Sequence, residues 1–167
     1  MRMEGYDYSL AGAYFVTICT QDRVCSLAEV TDGRVNLTPA GFMAHNIWMS
    51  LPERFPFVSL DTFVVMPNHF HAVLVITDPS PLGRENAPKS LGWVIRTFKA
   101  ASSHLIRKSG APGFAWQRDY YDHIVRNEAE LQRIREYVEA NPSRWREDPQ
   151  NLAPGKRAPV NTEPWQT

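Results

Sequence analysis

The chain has 167 residues, 18 Lys+Arg against 18 Asp+Glu, a formal net charge of zero and 43% hydrophobic residues, the size and composition of one compact domain with no room for a second. No run approaches the roughly 18 apolar residues of a membrane span, and the N-terminus lacks the charged, apolar and small-residue succession of a secretory signal, so a cytoplasmic place beside the nucleoid and no membrane partner are expected. Zero net charge excludes a uniformly basic nucleic-acid binder, although the mean hides a local asymmetry. Cys19 and Cys25 form neither a disulfide framework nor a zinc knuckle and read as packing residues.

In chain order, Ala13 to Thr20 (AYFVTICT) is β-branched and aromatic and reads as a buried, central strand. Ala28 to Val30 and Arg34 to Leu37 flank Thr31-Asp32-Gly33, a hairpin signal that makes a small arm. Thr38-Pro39 caps a first helix whose Phe42, Ile47, Trp48 and Leu51 recur near helical spacing, with Pro52 and Pro56 as stops. Leu60 to Met66 and His69 to Thr77 are two β-forming runs joined by Pro67-Asn68, a turn that allows only an antiparallel hairpin. Asp78 to Lys89 is rich in breakers; Ser90 then caps a second helix carrying Leu91, Val94, Ile95, Phe98 and Leu105, running to about Lys108. Tyr121 to Arg126 forms a short fourth strand, and Asn127-Glu128-Ala129-Glu130 opens a third helix that ends at Asn141-Pro142.

Without the arm and the last helix the order is βαββαβ, so the expected fold is α+β and ferredoxin-like, with an antiparallel sheet. Residues 1–145 form the domain, and 146–167 lack periodicity and read as an irregular tail.

His69-Phe70-His71 carries the most information. A strand's period of two puts both imidazoles on one face, about 6.6 Å apart. Two readings follow from spacing: chelation of one divalent metal, or a pair that only covers the sheet. On the last helix, whose core stripe is Leu131, Ile134 and Val138, Tyr137 lies about 90° from the stripe's centre. Asn141 follows one turn later on the same face. A cleft-facing pair and a half-packed tyrosine beside a helix cap both suit that pattern, with Tyr120 and Tyr121 as competing candidates. Lys89, Arg96, Lys99, Arg107, Lys108 and Arg118 lie in a stretch without an acid, interleaved with Trp93, Phe98, Phe114 and Trp116, which suits single-stranded nucleic acid as well as a solvated basic helix face. Acids gather elsewhere, at Glu128, Glu130, Glu136, Glu139, Glu147 and Asp148.

GYDYSLAGAYFVTICTQDR at Gly5 to Arg23, VVMPNHFHAVLVI at Val64 to Ile76, LGWVIRTFKA at Leu91 to Ala100, and WQRDYYDHIVRNEAELQRIREYVEANPSRW at Trp116 to Trp145 together resemble the single-tyrosine HUH transposases, in the branch of the REP-associated tyrosine transposases. The resemblance implies that His69 and His71 hold a catalytic Mg²⁺ or Mn²⁺, that Tyr137 is the nucleophile on the extra C-terminal helix, and that Asn141 completes the metal site. It also implies that Tyr120 and Tyr121 are the aromatic pair before the fourth strand. The implied activity is metal-dependent cleavage and rejoining of single-stranded DNA at hairpin-forming repeats through a 5′-phosphotyrosine, by a monomer or homodimer. Lys89, Arg96, Lys99, Arg107, Lys108 and Arg118 would form the DNA groove. Two competing readings are a catalytically silent DNA- or RNA-binding module of the same fold and a metal nuclease that hydrolyses through water.

Overall fold

The computed structural model describes residues 11–77, 90–151 and Trp165. Lys89 and the breaker-rich loop before it lie outside the described residues. Strands β1 (Gly12–Cys19), β4 (Val58–Val65), β5 (His69–Ile76) and β6 (Tyr121–Ile124) form one antiparallel sheet in the order β4-β5-β1-β6, the ferredoxin-like order of an α+β fold. β2 (Ala28–Thr31) and β3 (Arg34–Leu37) form the separate arm. Its turn places Asp32 at φ 50° and Gly33 at φ 71°, the two left-handed positions of a tight hairpin.

The sheet's two faces hold different chemistry because side chains alternate along a strand. Tyr14, Val16 and Ile18 of β1 and Phe70, Ala72 and Leu74 of β5 join Trp48, Val94, Ile95 and Phe98 in the main core. Trp48 comes from α1 (Pro39–Met49), the other three from α3 (Leu91–Lys108). Phe15 and Val73, on the opposite face, pack against Leu131, Ile134 and Val138 of α4 (Glu128–Ala140). The face opposite α1 and α3 is therefore covered in part by α4.

The caps behave as their residue types dictate. The side chains of Thr38, Ser90 and Asn127 accept from the amides of Gly41, Trp93 and Glu130, satisfying donors that a helix start leaves orphaned. A short α2 (Leu51–Arg54) follows α1. Two positions in the helical stripes differ from expectation. Phe42 is 58% exposed while Gly41 and Ala44 are buried, and Leu105 is 39% exposed while Ile106 is buried. At these two places the contact falls on neighbouring residues, small Gly41 and Ala44 in α1 and Ile106 in α3, while the rest of each stripe is packed as expected. Cys19 is buried as a packing residue should be, but Cys25 is exposed.

Candidate active site

The site begins with the strand register. Antiparallel pairing sets Thr17 opposite His71 and Cys19 opposite His69, all four on the α4 face and all buried. The two imidazole rings lie 4.4 Å apart, centroid to centroid. Asn68 fixes the first of them. Its amide nitrogen donates to the carbonyls of Gln150 (2.9 Å) and Arg23 (3.4 Å), so its oxygen is the atom 2.9 Å from His69 Nδ1. That oxygen accepts the Nδ1 proton and leaves the lone pair of His69 on Nε2. At His71, Nδ1 lies 2.8 Å from the Thr17 hydroxyl and Nε2 lies 3.3 Å from the Tyr137 hydroxyl. The strands thus hold the rings by their Nδ1 atoms and turn both Nε2 atoms toward α4.

From α4 comes Tyr137, half-buried, its ring edge-on to Phe15 at 6.3 Å and to His71 at 5.3 Å. Asn141 follows, 3% exposed, lying against His69, Tyr137 and Asp148. A 3-10 turn, Pro142–Glu147, then folds the chain back so that buried Asp148 brings a carboxylate oxygen to 3.7 Å from His69 Nε2. Asp148, in the segment read as a tail, and Asn68, read only as a turn residue, are the members that sequence reasoning missed. Asn68 is visible only once the register is known. Asp148 has no periodic signal, because it follows the helix stop.

Burial dominates the electrostatics. It lowers His69 well below its ordinary pKa, helped by His71 and the charge of Arg23. Burial and the charge of Arg23 bring His71 down to about 3. Burial, then the Asp148 charge, push the Tyr137 phenol up, against Asn141 and Arg144. Burial likewise raises Asp148, opposed by the Gln150 amide and by Arg23. At neutral pH the site therefore holds two neutral imidazoles and a protonated phenol.

The donor set suits a divalent cation. Ligand atoms of His69, His71 and Asp148 all lie within 4.8 Å of one another. Among the described residues, His69 Nε2 and Asn141 Oδ1 are buried without a hydrogen-bond partner. A lone pair turned toward a carboxylate is repulsive unless a proton or a cation lies between them, and burial disfavours the proton. Imidazole nitrogens with carboxylate and amide oxygens are donors that Mn²⁺ and Mg²⁺ accept, and Asn68 and Thr17 supply the outer hydrogen bonds typical of metal-ligating histidines.

His123 pairs with Glu130 at 3.0 Å. Tyr121 packs edge-on to Phe15, and Tyr120 lies under the Lys99 ammonium at 5.4 Å. The basic residues Arg96, Lys99, Arg107, Lys108 and Arg118 line one groove of about 1670 Å³ with Trp93, His104 and Tyr120. Two of them have structural work there: Lys99 donates to the carbonyls of Gln117, Arg118 and Asp119, and Arg107 to that of Phe114. Arg96, Lys108 and Arg118 are exposed. Of the interleaved aromatics, Trp93 is 36% exposed on the groove, whereas Phe98, Phe114 and Trp116 are buried. The loop these cations hold runs to the site: Gln21 donates to the Ala115 carbonyl and Gln117 to that of Cys19, each at 2.8 Å.

No protein-family model matches the chain. An uncharacterized protein of Haemophilus influenzae is 31% identical to it, with 89% of each chain covered, and the chain belongs to one family with that protein. Among solved structures it is similar to a REP-associated tyrosine transposase bound to a REP hairpin, with a TM-score of 0.63 and 20% identity over 87% of this chain and 74% of that one. It is also similar to a transposase candidate from Deinococcus radiodurans, with a TM-score of 0.50 and 18% identity over 83% of this chain and 95% of that one. The fold is the one those chains have, and it agrees with the resemblance carried by the sequence motifs.

Proposed function

We propose that the chain is a single-tyrosine transposase of the REP-associated branch, a metal-dependent endonuclease that cleaves and rejoins single-stranded DNA beside hairpin-forming repeats. The observation that carries this reading is the Tyr137 hydroxyl 3.3 Å from His71 Nε2, at the rim of a buried cluster of metal-ligating atoms. His69, His71, Asp148 and Asn141 would hold Mg²⁺ or Mn²⁺, which when bound draws charge from the scissile phosphate and eases attack on it.

In the forward step a bond forms between Tyr137 Oη and phosphorus while the bond from phosphorus to the 3′ oxygen breaks. The phenolic proton passes to solvent and the 3′ oxygen gains one, giving a 5′-phosphotyrosyl link and a free 3′-hydroxyl. Attack by a 3′-hydroxyl reverses the step, and one phosphodiester is exchanged for another without a nucleotide cofactor. Phe15 and His71 hold the ring of Tyr137 in its orientation, which reduces the entropy lost on reaching the in-line geometry. The packing of α4 against strands of its own chain supports a nucleophile acting in cis, so that a monomer suffices. Arg96, Lys108 and Arg118 are free to neutralise DNA phosphates, while Lys99 and Arg107 shape the groove. The hairpin bound by the REP-associated relative supports a folded single strand as the ligand.

The test is a denaturing gel of end-labelled single-stranded DNA from the repeats flanking the gene, with Mg²⁺ or Mn²⁺. Wild type gives a covalent protein-DNA band that Tyr137→Phe lacks. Binding without an adduct under either metal would make the chain a silent binding module, and cleavage retained by Tyr137→Phe would make it a water-using nuclease.

A further inference from the structure

Just past β1 the chain does something that side chains ordinarily resist. Asp22 and Arg23 lie consecutively in the left-handed region, at φ 54° and 57°, although neither is a glycine. Strain of this kind persists where the surrounding structure imposes it, and it concentrates at functional sites. Here the turn is pinned on both sides. The Arg23 amide donates to the Thr20 carbonyl at 3.2 Å, and the Arg23 carbonyl accepts from Asn68, the same side chain that sets the tautomer of His69.

The product of the strained turn is the position of a guanidinium. Arg23 is half-buried, and its Nη1 donates to Cys19 Sγ at 2.9 Å, on the buried face where Cys19 stands opposite His69. Its charge acts on Cys19, His69, His71 and Asp148 alike. Yet among the described residues no carboxylate lies within 4.0 Å of it. The thiol is no counter-ion, because burial keeps it protonated by raising it to about 11 despite the arginine beside it. A guanidinium has five donors, and this one uses a single donor, on a neutral sulfur. A half-buried cation with unused donors at the rim of a metal-ligating cluster is suited to an anion with paired oxygens, which a phosphate diester is.

We infer that Arg23 is a catalytic residue that takes a non-bridging oxygen of the scissile phosphate beside the His69, His71 and Asp148 cluster. The assignment rests on the phosphotyrosine reading above. It gives the DNA strand an anchor between the basic groove and Tyr137, and it places positive charge where the pentavalent phosphorus gathers negative charge.

Arg23→Ala and Arg23→Lys in the full chain test this. With saturating Mn²⁺, Arg23→Ala slows adduct formation about 100-fold or more, and Arg23→Lys, which keeps the charge but loses the fork, slows it about 10-fold. Mn²⁺ affinity by titration stays at the wild-type value, and guanidinium ion at non-denaturing concentration restores part of the rate in Arg23→Ala. In the cleavage-incompetent Tyr137→Phe background, Arg23→Ala reduces the slope of log binding constant against log salt by about 0.7, one single-strand phosphate contact. Wild-type adduct rate and slope in Arg23→Ala overturn the assignment. So does a rate loss accompanied by lost Mn²⁺ affinity and no rescue, which marks a purely structural residue. Should Arg23→Ala fail to fold, a wild-type rate in Arg23→Lys is equally decisive against it. Absence of any adduct in wild type overturns the phosphotyrosine reading instead, and the salt slope then still decides whether Arg23 touches a phosphate.

Discussion

An imidazole protonated on Nδ1 offers its lone pair on Nε2, and at this site that choice is made by residues that would not themselves touch a metal. Asn68 makes it for His69, because two backbone carbonyls hold the amide nitrogen and leave only the oxygen for the ring. Removing Asn68 should therefore weaken Mn²⁺ binding about 10- to 100-fold with both histidines intact. Asp148→Asn should do the same by removing the anionic donor. Calorimetric titration of each variant checks this, and wild-type affinity in Asp148→Asn would remove that residue from the site. The low basicity of the pair has its own signature. Ordinary histidines lose metal as pH falls through about 6.5, whereas His71, brought down to about 3, and His69, also lowered, have no proton to release in that range. Mn²⁺ affinity should therefore hold nearly level from pH 8 to about pH 6, and a steep decline there would show that the rings are protonated. His69, His71 and Tyr137 were legible because period two and period 3.6 state which face a side chain takes. Asn68 and Asp148 were not, because a turn and the segment past a helix stop have no period to read.

At the scale of elements, the question is what brings α4 to its own sheet. Ile134 and Val138 press on Phe15 and Val73, Glu130 accepts from the Arg126 amide at 2.7 Å and pairs with His123 of β6, and Arg135 makes a two-pronged ion pair with Asp61 at 2.7 and 2.9 Å. Asp61 can reach because β4 slips register between Leu60 and Phe63, and a bulge of this sort re-aims one side chain. Four strands thus grip the helix, and Tyr137 lies against the histidines of its own chain. Mixing Tyr137→Phe with His71→Ala protein should yield no adduct, since neither chain contains a whole site; recovered adduct would mean that the helix exchanges between copies. A second element-level consequence lies at the arm. A Cβ on Gly41 would overlap the Leu27 carbonyl oxygen, so α1 can lie against that backbone only with a glycine there. Gly41→Ala should destabilise the fold by about 1–3 kcal/mol, read from denaturant unfolding, and an unchanged midpoint would show that the arm moves aside at no cost. The strand and helix order was legible from turns and caps. Within stripes that otherwise hold, Phe42 and Leu105 were misplaced because apolar periodicity favours large side chains, whereas the contact there falls on Gly41 and Ala44 and on Ile106.

For the whole molecule, neutrality on average conceals separation: exposed cations line the α3 groove, while two buried imidazoles lie on the far face of the sheet. Burying neutral histidines ties the stability of the metal-free protein to pH, and the sign follows from proton counts. In the unfolded chain a histidine takes up a proton near pH 6.5, whereas in the fold His71 does so only near about 3 and His69 is lowered as well. Between those values the unfolded state binds more protons, so stability is whole above about pH 6.5 and is lost as pH falls below it. Asp148, whose pKa the fold raises above its usual 3.8, acts in the opposite sense between that value and its raised one. The expected loss is on the order of 1 kcal/mol per pH unit for each histidine, large beside the roughly 5–15 kcal/mol that holds a domain together. Urea unfolding of the metal-free protein at pH 7 and pH 5 measures it. His71→Gln, which has no proton to take up, should lose less between those two conditions than wild type does. Equal losses would mean that the acid sensitivity arises elsewhere and that His71 is protonated in the fold. If the folded site alone holds Mn²⁺, as proposed, adding it should raise stability at pH 7 in proportion to RT ln(1 + [Mn²⁺]/Kd), and should do so far less in His71→Gln, which links the acid response and the metal response to the same ring.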